Sequence, residues 1–172
     1  MGGPDAAAPI LALSDIAPDL VRFAIDFAFG EVLSRPGLDP KTRELCTVAA
    51  LSAMGHAVPQ LSWHSDAALH VGARPSEVDE VRRIAAMYAA GSAAHGSAPA
   101  ELDDVTRELA TVALLTALGT LSVALKHHLR AALDAGASRE QVIGVIEQMA
   151  VYAGFPAALN GIAVAREVLE GR

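Results

Sequence analysis

Cysteine, aromatic side chains and basic side chains are all scarce in this 172-residue sequence. The single cysteine, Cys46, excludes an internal disulfide and a Cys-x-x-Cys redox pair. With 13 Lys and Arg against 20 Asp and Glu, the formal charge is −7, which argues against non-specific nucleic-acid binding. No apolar stretch reaches the roughly 18 residues that a membrane-spanning helix requires. Residues 1–5 lack the basic region of a secretion signal, so we expect a cytoplasmic protein with neither nucleic-acid nor membrane partners.

Alanine and other hydrophobic residues dominate the composition. Hydrophobic residues make up 52% of the chain, and the mean hydropathy is +0.35. A chain of this length and composition can bury a core of its own and is too hydrophobic to remain disordered. Because no alternating strand pattern competes with the helical periodicity, the sequence predicts an all-α protein.

An internal repeat with a spacing of 64 residues organises the chain. Residues 42–55 (TRELCTVAALSAMG) and 106–119 (TRELATVALLTALG) are identical at ten of fourteen positions. The same spacing pairs His64 with His128 and Tyr88 with Tyr152. We therefore predict an N-terminal tail and two units, with the Gly-, Ser- and Ala-rich stretch 89–100 as their seam. The predicted ranges are 1–17 for the tail, 18–96 for the first unit and 97–172 for the second.

Local signals place the helices within this repeat. The first helix of each unit should begin after an aspartate cap, Asp39 or Asp103, and end at Gly55 or Gly119. Further helices are expected over residues 18–34, before the first unit, and over 156–170, at the end of the second. The helix over 18–34 is expected to offer four side chains to the core: Leu20, Phe23, Phe27 and Val32.

Two glutamates, Glu44 and Glu108, occupy equivalent positions on apolar helix stripes. A buried carboxylate is costly unless it is paired, and burial raises the pKa of a carboxylate toward the range useful for acid–base catalysis. The two glutamates are therefore candidate catalytic residues. The alternative is a buried ion pair or an interface salt bridge, with Arg43 or Arg107 as the partner.

His64 and His128 lie on the next helix of each unit and are candidates for proton transfer, because histidine titrates near neutrality. The alternative is that both are packed or surface residues. Lys126 and Arg130 flank His128, and such cations could hold a carboxylate substrate, unless they form only a solvated face. In the first unit Asp66 stands in place of Arg130 and would repel a carboxylate.

The remaining polar side chains carry weaker signals. Tyr88 and Tyr152 are expected to be core aromatics with a hydroxyl group at a pocket edge. Cys46 aligns with Ala110, which fits a small core residue better than a nucleophile. Glu147 lies in an apolar run and is either a second acid or base in the pocket or a charge at a subunit interface. The metal-binding patterns His-x-x-x-His and His-Glu-x-x-His are absent, so no metal site is expected.

A long ordered series runs through the second unit: TREL at 106–109, HLRAAL at 128–133, VYAGFPAALN at 151–160 and AREV at 165–168. This series resembles the carboxymuconolactone decarboxylase family, within the alkylhydroperoxidase-like superfamily. The first unit is similar from residue 29 to Gly72, but it has AAGS at 89–92 where the second unit has AGFP at 153–156. The resemblance covers nearly the whole chain after its first two dozen residues.

This resemblance implies an alkylhydroperoxidase-like helical fold in which two units share one core. The peroxidase branch of the superfamily carries a Cys-x-x-Cys pair before its histidine. The corresponding residues here are Ala57 and Gln60 in the first unit and Leu121 and Ala124 in the second, which excludes a thiol peroxidase. The decarboxylase branch acts without a metal or organic cofactor on lactones such as 4-carboxymuconolactone. We therefore expect a lyase that decarboxylates a carboxylated lactone or a related conjugated keto acid.

The resemblance also implies roles for the candidate site residues. We expect His128 to be the general acid and Glu108 its orienting or proton-relay partner, because carbanion protonation requires a positioned acid. His64 and Glu44 are the matching pair in the first unit. The side chains expected to bind substrate are Arg130, Lys126 and Tyr152.

Two other functions remain open from the sequence. One is a tailoring isomerase or cyclase of a biosynthetic pathway, and the other is a non-catalytic oligomeric scaffold that binds small molecules. Single-unit decarboxylases of the family form hexamers, so a chain with two fused units is expected to be a homo-oligomer. A trimer would supply six units and is the favoured state, with a dimer as the alternative.

Overall fold

A computed structural model describes residues 7–90 and 101–171, which are helical apart from short connections. No β-strand occurs in these two ranges, so the predicted all-α class is confirmed. None of the described helices is both long and apolar enough to cross a membrane. The elements are α1 (Ala8–Leu11), α2 (Pro18–Phe23), a π-helical segment (Ala24–Leu33), α3 (Pro40–Met54), α4 (Val58–His70), α5 (Pro75–Ala89), α6 (Asp104–Leu118), α7 (Ser122–Asp134), α8 (Arg139–Tyr152) and α9 (Gly154–Leu169).

The helix bounds follow the 64-residue spacing of the sequence. Helices α6 and α7 begin and end 64 residues after α3 and α4. Asp39 and Asp103 each accept a hydrogen bond from the backbone N–H three residues later, at 3.0 and 2.9 Å, and so cap α3 and α6. Both helices end at a glycine in the left-handed region, Gly55 with φ 75° and Gly119 with φ 68°. The predicted caps and ends of these two helices are therefore confirmed.

Helices α3 and α6 pack side by side at the centre of the fold, with α4 and α5 against α3 and with α7 and α8 against α6. Alanines such as Ala49 and Ala113 let the central helices approach closely, while Leu45 and Leu109 fill the space between elements. All four of these side chains are fully or almost fully buried in a single cluster that spans both halves of the chain. The expectation that two helical units share one core is confirmed.

The N-terminal helical region is the clearest departure from the prediction. Leu20 and Phe23 are 60% and 54% exposed, so the expectation that they join the core is wrong. Helix α2 packs mainly against the π-helical segment that continues it and not against the central helices. The wider i→i+5 turns of that segment also change which residues share a face. Val32 is buried as expected, together with Ala28 and Leu33.

Other boundaries also shift. Part of the predicted tail is folded as α1, whereas residues 1–6 lie outside the described part of the chain. The predicted seam over 89–100 lies mostly outside it too, because residues 91–100 are not described. Helix α9 begins at Gly154, two residues earlier than predicted, and Gly154 has a φ of 82° that favours glycine.

Arg43 is a buried cation held by neutral groups. Its guanidinium donates to Gln148 Oε1 at 3.0 Å and to the Arg35 carbonyl at 2.7 Å. The Gln148 amide in turn donates to the Arg43 carbonyl and to Thr47 Oγ1. Burial lowers the pKa of Arg43, because the charged form loses its hydration. This network joins α3 to α8 through the middle of the core.

Arg107, at the equivalent position on α6, is held differently. Its Nε lies 2.8 Å from Glu80 Oε1 on α5, and Glu80 Oε2 accepts the backbone N–H groups of Glu101 and Leu102. Burial alone would raise the pKa of Glu80, but the bonds from Arg107 and the two N–H groups hold that pKa below its usual range. Glu80 therefore ties the first unit to the start of the second.

Two helical glycines predict opposite responses to alanine. A Cβ at Gly161 would lie 2.8 Å from Thr116 Cγ2 and 2.9 Å from Ile146 Cγ2, and both neighbours are β-branched and stiff. We expect Gly161→Ala to lower the free energy of unfolding by about 1–3 kcal/mol. A Cβ at Gly144 would make only an ordinary 3.4 Å contact with Leu38, so Gly144→Ala should be neutral or stabilising by up to about 1 kcal/mol.

Urea-induced unfolding of the two variants and the wild type measures this difference. The paired design controls for helix propensity, because both substitutions add the same methyl group to a helix. Equal effects of the two substitutions would contradict the close packing of α9 on α6 and α8.

Candidate active site

The first candidate pair, Glu44 and His64, lies between α3 and α4. The two helices are joined by a short turn and pack against each other, which brings residues 20 positions apart together. Glu44 Oε2 lies 2.7 Å from His64 Nδ1, and the two side chains are only 3% and 8% exposed. Since an ionised carboxylate can only accept, the Nδ1–H donates and the other ring nitrogen, Nε2, is left for other partners.

The second pair, Glu108 and His128, repeats this arrangement between α6 and α7. Glu108 Oε2 lies 2.6 Å from His128 Nδ1, but the Glu108 side chain is 21% exposed and thus less enclosed than Glu44. The carboxylates are therefore held by histidines. The alternative of an ion pair with Arg43 or Arg107 is not what the structure contains, since these arginines bond to Gln148 and Glu80 instead.

The ring of each histidine contacts the ring of a tyrosine from the other half of the chain. Tyr88, at the end of α5, lies edge-on to His128, with ring centroids 5.7 Å apart. Tyr152, at the end of α8, lies edge-on to His64, with ring centroids 5.2 Å apart. Burial raises the pKa of both phenols, so both stay protonated near neutral pH. The predicted substrate-binding residue Tyr152 is thus next to His64, whereas Tyr88 is next to His128.

The two histidines differ in the partner of their second ring nitrogen. The Tyr88 hydroxyl lies 2.6 Å from His128 Nε2, so both nitrogens of His128 are occupied. Among the described residues, none makes a hydrogen bond to His64 Nε2, and the Tyr152 hydroxyl instead neighbours Thr47. His64 is therefore oriented by Glu44 at one nitrogen and available at the other.

His64 also lines a cavity of about 480 Å³. This volume is within the usual range of small-molecule sites. The cavity lies between α1, the π-helical segment, α4 and the end of α8. Its lining residues are Pro9, Ile10, Ala24, Ala28, Phe29, Leu33, Pro59, Gln60, Trp63, His64, Val151 and Tyr152.

The cavity wall is mainly apolar and aromatic. Polar atoms come only from Gln60, Trp63, His64 and Tyr152 among the lining residues in the described ranges, and none of those residues is Lys, Arg, Asp or Glu. The Trp63 ring packs edge-on to His64, with centroids 4.5 Å apart. The site therefore combines one oriented imidazole with a low-dielectric surrounding, in which electrostatic effects on a reacting group are strong.

Comparison with known proteins gives a family for this architecture. The model of the carboxymuconolactone decarboxylase family matches residues 18–101 and 92–167. The chain belongs to the carboxymuconolactone decarboxylase family. The resemblance inferred from the sequence is thereby confirmed, including the match of the family to both halves of the chain.

Two relatives illustrate how far this similarity reaches. The chain is 36% identical to a 4-carboxymuconolactone decarboxylase from Acinetobacter baylyi over 97 residues, which is 56% of this chain and 71% of the relative. It is also 36% identical to an uncharacterised 15.0 kDa protein from Paracoccus denitrificans over 70 residues, which is 40% of this chain and 52% of the relative. The second match thus spans only about half of that protein.

The cations predicted to bind a carboxylate lie away from the cavity of this family member. Lys126 Nζ is 2.9 Å from Glu167, in an ion pair near the surface, and Arg130 is exposed on α7. Asp66, which weakened the sequence-based case for the first unit, is also exposed. None of the three lines the cavity at His64. The predicted binding roles of Lys126 and Arg130 thus find no support from the position of this cavity.

Glu147 and Cys46 also lie outside the His64 cavity. Glu147 is partly exposed, lies 3.7 Å from Arg35 and lines a different cavity, between the π-helical segment, α8 and α9. Cys46 is fully buried, and this burial raises the pKa of its thiol to about 12, which fits a core residue rather than a nucleophile. In residues 7–90 and 101–171, no group of three His, Cys, Asp or Glu side chains could hold a metal ion.

Sequence reasoning missed the features that distinguish the two histidines. The α1 residues Pro9 and Ile10, placed in a predicted tail, close one side of the cavity. Trp63 is not among the site residues predicted from the sequence, although it precedes His64 and corresponds to His127 in the repeat. The 64-residue spacing of Tyr88 and Tyr152 indicates that the two tyrosines occupy equivalent positions. It does not indicate that each tyrosine contacts the histidine of the other unit.

Proposed function

We propose that this protein is a cofactor-independent acid–base enzyme that transfers a proton at a carbon atom of a small molecule bound against His64. The observation that carries the proposal is the asymmetry of the imidazole: Glu44 holds Nδ1, Nε2 has no hydrogen bond to the described residues, and the His64 side chain lines the cavity. An oriented histidine with one available nitrogen is the arrangement that general acid–base catalysis requires.

The reaction suggested by the Acinetobacter baylyi relative is decarboxylation of a carboxylated lactone. Loss of carbon dioxide would leave a carbanion that a conjugated lactone carbonyl delocalises. Protonated His64 would then give its Nε2 proton to a substrate carbon, and water would restore that proton afterwards. Glu44 would act as a positioning residue, because its carboxylate holds Nδ1–H and compensates the charge of the imidazolium.

A second candidate is isomerisation of a neutral lactone or ketone. Neutral His64 would remove a proton beside the carbonyl at Nε2 and return it to another carbon, with no net gain or loss of protons. The lining of the cavity favours this reaction, since its described residues offer no Lys or Arg to a substrate carboxylate. Both reactions use the same imidazole nitrogen.

The second unit is proposed to be a scaffold rather than a second active site. His128 has a carboxylate at Nδ1 and a phenol at Nε2, so a substrate would have to displace Tyr88 before a proton could move. The sequence alone favoured His128 because Lys126 and Arg130 flank it. The hydrogen bonds of the two imidazoles support His64 instead.

We retain a homo-oligomer, with a trimer favoured, as part of the proposal. Exposed apolar side chains on α9, Phe155 at 59% and Leu159 at 65%, support a partner surface. This surface is separate from the residues that line the His64 cavity.

Two assays on the purified full chain test the proposed chemistry. One measures carbon dioxide released from 4-carboxymuconolactone, and the other measures deuterium incorporated from D₂O into δ-decalactone beside its carbonyl. We expect at least one reaction to exceed the buffer rate by more than 100-fold, the lower end of what a positioned acid or base contributes. Rates equal to buffer in both assays would contradict the enzyme proposal and favour a non-catalytic scaffold.

A further inference from the structure

We infer that the His64 cavity binds an uncharged, largely apolar molecule that carries a carbonyl group, and that it discriminates against carboxylates. This inference deepens the proposed function, because it favours isomerisation of a neutral lactone or ketone over decarboxylation of a carboxylated lactone, and it rests on the proposed function for the reaction. It concerns binding, however, and can be tested without turnover. Three observations support it: the composition of the cavity wall, the acidic partner of His64 and the position of the buried cation Arg43.

The wall of the cavity offers apolar surface and very few polar atoms. Phe29, Leu33 and Val151 contribute apolar surface, and Trp63 and Tyr152 contribute ring faces and edges. Burying such surface against a ligand is favourable in proportion to its apolar area. A carboxylate moved into the same space would lose its hydration without a cationic partner among the lining residues, which is costly.

The charge of the catalytic pair does not compensate a carboxylate either. Glu44 is 3% exposed and lies 2.7 Å from His64 Nδ1, so the partner that the structure gives this histidine is an acidic group and not a cation. A neutral carbonyl oxygen can accept a hydrogen bond from protonated Nε2, whereas a carboxylate at the same place also meets the field of the Glu44 charge.

Arg43 is a buried cation on α3, but it does not line the cavity. Its guanidinium donates to Gln148 Oε1 and to the Arg35 carbonyl. A carboxylate bound in the cavity would therefore not find Arg43 among the residues around it.

The protein contains a single tryptophan, Trp63, and this residue lines the cavity, so its fluorescence reports occupancy directly. The probes are δ-decalactone and its ring-opened form, 5-hydroxydecanoate, which have the same carbon skeleton and differ in charge. Each is titrated into the full chain at neutral pH. We expect saturable fluorescence change with the lactone and a dissociation constant at least tenfold larger for the hydroxy acid.

Two arginine variants on α4 provide a matched control. Gln60→Arg places a cation on the cavity wall and should remove or reverse the tenfold preference for the lactone. Ser62→Arg places the same cation on an exposed position of the same helix that does not line the cavity, and it should leave the preference unchanged. Both variants are checked for an unchanged helical circular dichroism spectrum, so that the comparison is between folded proteins.

Equal or tighter binding of the hydroxy acid to the wild type would overturn the inference, and so would the absence of any fluorescence change with the lactone. An equal shift in preference from both arginine variants would also overturn it, because the effect would then be non-specific. The outcome is separable from that of the proposed function, since His64→Gln should lower turnover by at least about 100-fold while weakening lactone binding by no more than about tenfold, the value of one hydrogen bond. Failure of turnover with retained lactone preference would count against the enzyme proposal alone.

Discussion

His64→Gln is expected to lower kcat by at least 100-fold in whichever of the two reactions the wild type catalyses, while His128→Gln changes kcat by less than about threefold. The physical reason is the occupancy of the second ring nitrogen. His64 lines the cavity and its Nε2 has no hydrogen bond to the described residues, whereas the Tyr88 hydroxyl lies 2.6 Å from His128 Nε2. Glutamine is of similar polarity and can still bond to the neighbouring carboxylate, so it removes the titrating ring with little disturbance.

The measurement is the steady-state kcat and KM of both variants, together with lactone binding by Trp63 fluorescence. His64→Gln should reduce kcat far more than it weakens lactone binding, because the loss of one hydrogen bond changes the dissociation constant by no more than about tenfold, and this difference separates loss of proton transfer from loss of the cavity. Tyr88→Phe serves as a further control: it frees His128 Nε2 without altering the His64 cavity and should leave kcat within about threefold. A loss caused by His128→Gln alone, or an equal loss in both histidine variants, would refute the assignment to His64.

Much of the fold follows from local sequence signals. Asp39 and Asp103 cap their helices and Gly55 and Gly119 end them, because these effects depend on residues within one turn. The repeat spacing extends this local information to a second copy without any further assumption. The pairing of each glutamate with a histidine 20 residues later is then a consequence of two adjacent packed helices. The family resemblance and the 64-residue spacing together therefore identify four candidate site residues: Glu44, His64, Glu108 and His128.

These sequence signals could not indicate whether Glu44–His64 or Glu108–His128 is the better candidate for the active site. That choice depends on whether a tyrosine from the other unit reaches Nε2, and the ring centroids of the two tyrosine–histidine pairs differ by only 0.5 Å (5.7 against 5.2 Å). It also depends on α1 and the π-helical segment, which lie ahead of the 64-residue repeat and line the His64 cavity. Small rotations and long-range packing of this kind leave no periodic signal in a sequence. The charges that flank His128 are visible in the sequence, but they carry no information about these contacts around His64.

The two equivalent arginines of the repeat also have partners that the repeat pattern does not predict. Arg43 and Arg107 occupy equivalent positions, yet one is bonded to an amide and a carbonyl and the other to a carboxylate. At the 64-residue spacing, Gln148 corresponds to Ile84 and Glu80 corresponds to Gly144, so each unit supplies a partner that the other lacks. The divergence of these partners makes each network specific to one half of the core.

The Arg43 network carries the largest expected effect on stability. Arg43→Met would leave Gln148 Oε1 without its buried donor, and Gln148→Leu would remove the amide acceptor of the Arg43 guanidinium together with the amide donors to Thr47 Oγ1 and the Arg43 carbonyl. Each single substitution is expected to lower the free energy of unfolding by about 2–4 kcal/mol, because a buried polar group without a partner retains its full desolvation cost. Arg166→Met, at an exposed ion pair with Glu170, is the matched control and should leave the free energy of unfolding nearly unchanged.

The double variant distinguishes the network from simple loss of packing. When Arg43→Met and Gln148→Leu are combined, both polar partners are replaced by apolar groups of similar size, so neither is left unsatisfied. We expect the double variant to be at least about 1 kcal/mol more stable than the sum of the single effects predicts, in a double-mutant cycle measured by urea unfolding. Strictly additive effects would mean that the two side chains contribute independently, and the hydrogen bonds between α3 and α8 would then not be the source of the stability.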